Sequence, residues 1–131
     1  MSLSPLIRFG TSTWAYEGWQ GQIYQRSYAK TTFARECLGE YCQYLHTGEP
    51  LFLTVGSDST FYHPPTTNQL NHYLTQIPED FEMCFKVWEE ITIPRFANHV
   101  RYGPKAGQPN PRFLDAKLFN DLVLAPYREA K

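Results

Sequence analysis

The sequence predicts an α/β fold made of three parallel βα units, the opening part of a (β/α)8 TIM-barrel-like architecture left incomplete. Three observations predict it. Short apolar strands alternate with helices of 3.6-residue period, which implies parallel neighbours joined by right-handed crossovers. Each strand is apolar on one face and polar on the other, whereas a doubly wound sheet, covered by helices on both faces, is apolar on both. Neither GxGxxG nor GxxxxGK[ST] occurs, so the two common nucleotide-binding versions of the α/β class lack support.

Strand one is LIRFGT, residues 6 to 11, with Ile7 and Phe9 opposite Arg8, Gly10 and Ser12. It feeds the loop GTSTWAYEGWQGQIY, residues 10 to 24, which sets Trp14, Tyr16, Trp19 and Tyr24 among three glycines with Glu17 as its one charge. Its glycines forbid a stable helix, and loops on a rigid scaffold are where sites usually lie. The rings are read both as the packing of an Ω-like loop and as walls of a pocket.

A helix follows from Lys30 to Leu45, with Phe33, Cys37, Leu38, Tyr41, Tyr44 and Leu45 on one face, and Gly48 and Pro50 end the unit. Strand two is LFLTV, residues 51 to 55, setting Leu51, Leu53 and Val55 against Thr54, Gly56 and Asp58. After the loop GSDSTFYHPP a helix opens at Thr66 or Thr67, carries the stripe Leu70, Tyr73, Leu74 and Ile77, and closes at Pro78.

Strand three is FEMCFKV, residues 81 to 87, with Phe81, Met83, Phe85 and Val87 on one face and Glu82, Cys84 and Lys86 on the other. The last helix begins at Asn110-Pro111, buries Phe113, Leu114, Leu118, Leu122 and Val123, and stops at Pro126. The parity places Arg8, Thr54, Cys84 and Lys86 away from the helices, and Ile7, Phe9, Leu53, Val55, Phe85 and Val87 against them.

The bulk numbers fit one globular domain over residues 1 to 131: 42% of residues are apolar and 16% aromatic. Twelve basic against thirteen acidic residues leave a formal charge of −1, which offers no global field for a polyanion. Small-molecule partners are favoured over nucleic acid. Three cysteines without CxxC, and a start, MSLSPLIRFG, without an apolar signal region, point to a reduced cytoplasmic protein. No run approaches the ~18 apolar residues of a membrane span.

The segments GTSTWAYEGWQGQIY, TVGSDSTFYHPP and PEDFEMCFKVWEEIT, in this order, resemble the signatures of the DUF72 or YecE-like family. The resemblance spans about residues 7 to 93 and extends to the insertion ITIPRFANHVRYGPKAGQPNPRFLDAKLF. It implies a (β/α)8-barrel-like fold of unassigned reaction. Family members are roughly twice this length, so the chain is similar to an amino-terminal portion, or else to a naturally truncated relative. Four departures stand out. Gly56 and Asp58 replace a glutamate and an asparagine of TVEINSTFY, Thr13 replaces the glycine of GTSGW, and Gln25 stands where a proline is expected. If that glutamate does chemistry, Gly56 removes it.

The site candidates gather at the carboxyl ends of the strands, where barrel sites lie. Arg8 and Glu82 are expected as a structural ion pair low in the interior. Lys86 and Ser12 stand at the rim, the lysine suited to bind a phosphate or carboxylate or to act as a base. Asp58, by parity on the same side, accepts protons or pairs with Lys86, or simply makes an Asx turn in GSDST. Glu89 and Glu90 add carboxylates or form a solvated face. His46, His63, His72 and His99 lack HExxH-like spacing, so no metal site is assigned, and no cofactor is named.

The long loop at about 94 to 110 carries Arg95, Arg101, Lys105 and His99, with Arg112 just beyond and no acidic residue from Ile91 to Leu114. It suggests an anionic ligand, unless the preceding glutamates balance it.

Two functions follow, with a third reading beside them. The first is an enzyme or the remnant of one, hydrolase-like and of unknown reaction. Ser12, Asp58 and Lys86 are its catalytic candidates, and Trp14, Tyr16, Trp19, Tyr62 and Trp88, with Arg95 and Arg101, its ligand-binding ones. The rings are expected around one concavity shared with Lys86, holding a small anionic, sugar-like or base-like ligand. The second is a non-catalytic module binding a phosphorylated metabolite or nucleic acid through the basic loop. The third is a nonfunctional fragment. Three parallel strands cannot close a barrel, so residues 1 to 131 alone are expected to aggregate or pair through strand edges, and a chain extended past Lys131 to be a soluble monomer or dimer.

Overall fold

A computed structural model describes Ser4 and residues 6–131. Met1, Ser2, Leu3 and Pro5, part of the start read for a signal segment, lie outside the described residues. The chain is mixed α/β around an open sheet of three parallel strands. Strand β1 (Gly10–Thr11) precedes helices α1 (Phe33–Glu36) and α2 (Leu38–Cys42) and the short strands β2 (Leu45–His46) and β3 (Glu49–Pro50). Strand β4 (Thr54–Ser57), helices α3 (Ser59–Tyr62) and α4 (Thr67–Leu74), strand β5 (Glu82–Phe85) and helix α5 (Glu89–Thr92) follow. The sheet order is β1-β4-β5, with Gly10 beside Thr54, Thr54 beside Glu82 and Ser57 beside Phe85.

The strand parity read from the sequence holds in β4 and β5. Val55 is fully buried, while its neighbours along the strand are partly open, and Glu82 and Cys84 are exposed on the opposite face. Phe85 meets Tyr127 edge to face at 5.1 Å on the helix side. On the open side Arg8 Nε lies 3.5 Å from Glu82 Oε2, and Arg8 also donates to the Asp80 carbonyl at 2.8 Å.

Strand one is shorter than expected. Pairing begins at Gly10, preceded by the Phe9 carbonyl accepting from Leu53 N at 2.9 Å. Ile7 and Phe9 are about half exposed, at 49% and 51%, so they are not the buried helix contacts that the parity suggested. Strand two also shifts from 51–55 to Thr54–Ser57. Leu51 N bonds back to the Tyr44 carbonyl, and Phe52 leaves the strand to stack on Tyr41 with ring centres 4.2 Å apart.

The expected helix from Lys30 to Leu45 is two short helices with a break at Cys37, ending at Cys42. Phe33, Cys37, Leu38 and Tyr41 are buried as the periodicity requires, but Leu45 is exposed in β2. β2 and β3 pair antiparallel across Thr47 and Gly48, whose φ values of 53° and 87° make the mirror-image turn that suits a two-residue hairpin. This hairpin stands where a plain connection was expected, so the regular βα alternation is interrupted in the first unit.

Helix α4 opens where the sequence placed it. The Thr66 side chain accepts from Gln69 N and the Gln69 side chain from Thr66 N, a reciprocal cap satisfying two end donors. Helix α6 (Ala116–Leu118) starts later than Asn110-Pro111, because Leu114 takes a left-handed φ of 57° and Asp115 caps the helix through Leu118 N. Asn110 is buried and ties the loop instead, donating to the carbonyls of Glu90 and Ile93. Phe113, Leu114 and Leu122 are exposed, and Val123 is buried. A wide π turn, Phe119–Leu124, leads into α7 (Ala125–Glu129), so Pro126 does not stop the helix. Pro126 sits in the first turn of α7, where a missing N–H costs nothing.

The core lies between the helix side of the sheet and α1–α2, with Tyr24, Cys37, Leu38, Tyr41 and Val55 sealed at its centre. Among the described residues, no helix is long and apolar enough to cross a membrane.

Candidate functional site

The carboxyl ends of β4 and β5 are fixed by one buried hydroxyl. Thr60 Oγ1 in α3 lies 2.7 Å from the Lys86 carbonyl and 3.1 Å from the Ser57 carbonyl, and Lys86 N donates to the Ser57 carbonyl at 3.3 Å. Beyond this clamp the ladder places Asp58 beside Lys86, and the Lys86 ammonium lies 2.9 Å from Asp58 Oδ1. Both side chains are more than half exposed, so the pair contributes little stability. Ser12 lies over Gly56: a Cβ added to Gly56 would sit 3.4 Å from Ser12 Cα.

Asp58 also lines a cavity of about 530 Å³ between the loop after β1, α1 and α4. Trp14 and Tyr73 form its apolar wall, packed edge to face at 5.3 Å. Trp14 is buried, anchored by Nε1 donating to the Ala34 carbonyl at 2.7 Å. Burial pushes the Tyr73 hydroxyl above its ordinary pKa, so it stays protonated and able to donate. Ser57, Ser59, Asn68, Gln69 and His72 supply the polar lining.

His72 is the residue that sequence reasoning missed. The sequence marks it only among histidines without metal-site spacing, although Asn68 and His72 are four apart on α4 and therefore share a face. Its Nε2 lies 3.0 Å from the Arg35 carbonyl. A carbonyl only accepts, so Nε2 is the donor in this contact.

The aromatic candidates do not share one concavity. Trp14 lines the cavity with Asp58, whereas Tyr62 and Trp88 line a separate cavity of about 420 Å³ with Glu89, Arg101 and Tyr102. Trp19 turns to the core, 6.4 Å from Tyr41, and exposed Tyr16 packs edge-on against Trp19 at 5.3 Å. The rings of residues 10 to 24 therefore divide their work: Tyr24 and Trp19 pack the loop, and Trp14 faces the cavity.

The basic loop is neither extended nor free. Its legs pair through Phe96 N to the Gln108 carbonyl and Gly107 N to the Phe96 carbonyl, with Phe96 buried between them. Arg101 reaches Glu89 at 2.6 Å, Lys105 reaches Glu90 at 2.7 Å, and Arg112 lies 3.9 Å from Glu90. Arg95 donates to the Gly107 carbonyl at 2.6 Å. The charges that suggested an anionic ligand are thus spent on the two glutamates of α5 and on the loop itself. Among the described residues no cluster of three or more His, Cys, Asp or Glu side chains lies together as a metal site would require.

A family model described as protein of unknown function DUF72 matches residues 8–118. No curated protein and no solved structure matches the chain.

Proposed function

The chain belongs to the DUF72 family, of unknown function, and from that premise we propose that the carboxyl rim of its sheet is the site of a hydrolase-like enzyme. Asp58, paired with Lys86, is the proton acceptor; Ser12 is the neighbouring hydroxyl; Trp14 walls the adjoining cavity. One observation carries the reading. The 2.9 Å contact between Lys86 and Asp58 stands at the carboxyl end of a parallel sheet, and its Asp58 member, without Lys86, lines an aromatic-walled cavity. A carboxylate held by a cation, within reach of bound water or ligand, is suited to general-base work. With Gly56 in place of the family pattern's glutamate, Asp58 is the carboxylate left on this strand end.

The same premise supports a single domain, residues 1–131, formed by the first three βα units of a TIM-barrel-like fold. Strands in chain order, parallel, with one polar open face, suit that architecture. The edge positions of β1 and β5 favour self-association of this chain through unpaired backbone. The competing reading, a polyanion-binding module, is weakened by the pairing of Arg101 and Lys105 with Glu89 and Glu90.

A panel of nitrophenyl esters, glycosides and phosphates, assayed with the unmodified chain, Asp58→Asn and Lys86→Ala, tests the proposal. Loss of roughly 10²-fold or more in turnover with Asp58→Asn, at unchanged circular dichroism, is expected. Turnover equal in all three chains contradicts it.

A further inference from the structure

We infer that the cavity beside Asp58 binds a neutral, hydroxyl-rich ligand of the size of a sugar ring, an inference that rests on the reading of the rim as a functional site and names its ligand class. The charges weigh against an anion. Asp58 in the lining is paired with Lys86 at 2.9 Å, and Arg35, the one Lys or Arg among the described lining residues, is paired with Glu36 at 3.1 Å. The described lining therefore carries no net positive charge for a phosphate or carboxylate, and the two first-turn groups of α4 in the reciprocal cap already satisfy each other.

The polar groups suit hydroxyls, which both donate and accept. Asp58 accepts, the Asn68 amide does both, and the Gln69 amide nitrogen donates, because its oxygen is taken by Thr66. Beside them Trp14 and Tyr73 supply apolar ring surface for the C–H face of a sugar. The volume of about 530 Å³ lies in the range of small-molecule sites and admits one or two such rings. A carboxylate, amides and aromatic rings in one cavity, with no net positive charge among the described lining residues, are the chemistry that recognises a sugar rather than its phosphate.

The test is saturation-transfer NMR with methyl α- and β-glucopyranoside, methyl β-galactopyranoside and glucose 6-phosphate, on the full 131-residue chain, Asn68→Ala and Ala34→Phe. Asn68 is exposed at the start of α4, so its truncation removes a hydrogen-bonding group without opening the core. Ala34 lines the cavity from exposed α1, so phenylalanine there fills the space. Binding of at least one neutral glycoside is expected, weakened about tenfold in each variant, with the phosphate bound about tenfold more weakly than the best glycoside. No glycoside binding, tighter binding of the phosphate, or unaltered binding in either folded variant overturns the inference. Glycoside binding without any Asp58-dependent turnover leaves this inference standing and removes the enzymatic reading. Asp58-dependent turnover of esters or phosphates without glycoside binding does the reverse.

Discussion

Arg101 donates to Glu89 Oε2 at 2.6 Å while its guanidinium lies 4.4 Å over the Tyr102 ring and 5.1 Å from that of Tyr62, fastening the long basic loop to α5 and to α3 at once. The loop is therefore electrically quenched where it meets the rim. The unmodified chain is expected to show weak, salt-sensitive binding to heparin or single-stranded DNA. The double variant Glu89→Ala, Glu90→Ala frees Arg101 and Lys105 and should bind at least about threefold more tightly at low salt, losing the gain as salt rises. Equal binding by both chains in a salt titration counts against the quenching.

Tyr41 joins the core to the sheet. Its hydroxyl accepts from Thr11 N at 3.0 Å and pairs with Thr11 Oγ1 at 2.8 Å, and the residue is wholly buried. Tyr41→Phe keeps the stacking on Phe52 but strips a strand donor of its partner. A loss of about 1 to 3 kcal/mol is expected in urea unfolding, and a loss below about 0.5 kcal/mol, the size of an ordinary surface substitution, contradicts the role assigned to the hydroxyl.

The three cysteines should separate by reactivity. Burial pushes Cys37 up to about 11 and Cys42 up to about 12, while Cys84 is exposed on the open sheet face. At pH 8 a thiol reagent should therefore label Cys84 fast in the native chain and all three after denaturation. The sign for stability follows. These thiols ionise at lower pH when unfolded than when folded, so stability is full below about 9 and falls as pH rises towards the folded values of about 11 and 12. Fast native labelling of Cys37 or Cys42 contradicts this.

Two strand glycines should respond oppositely to alanine. A Cβ on Gly10 would lie 2.0 Å from the Thr54 carbonyl oxygen, whereas one on Gly56 meets nothing closer than 3.4 Å. Gly10→Ala must push β1 off β4 and lower the melting temperature by about 4 °C or more. Gly56→Ala should leave it within roughly 1 °C or raise it, since glycine weakens a strand interior. Similar melting temperatures for the two variants contradict the register.

The local chemistry was legible in the sequence where pattern and position agree. The alternation of Glu82, Cys84 and Lys86 with Met83 and Phe85 set the faces of β5, and the threonines Thr66 and Thr67 marked the start of α4, though not the part Gln69 plays in its cap. Elsewhere tertiary pairing decided. Leu45 fits the apolar stripe of a helix, but Thr47 and Gly48 turn the chain back before it can serve there. Pro126 reads as a stop until the π turn before it places the ring in a first turn. At the site, Asp58 beside Lys86 followed from strand parity, because register is local. The split of Trp14 from Tyr62 and the approach of His72 did not, since they depend on how α4 and the long loop pack over the rim.

The most direct test of the central claim, that the rim beside Asp58 is where this protein meets its ligand, is backbone NMR shift mapping with a small-molecule library on the isotope-labelled chain. The account predicts that ligand-induced shifts cluster at Thr13, Ser57, Asp58, Ser59, Asn68 and His72 and vanish in Ala34→Phe. Shifts confined to residues 94–112, or spread without regard to the rim, would contradict it.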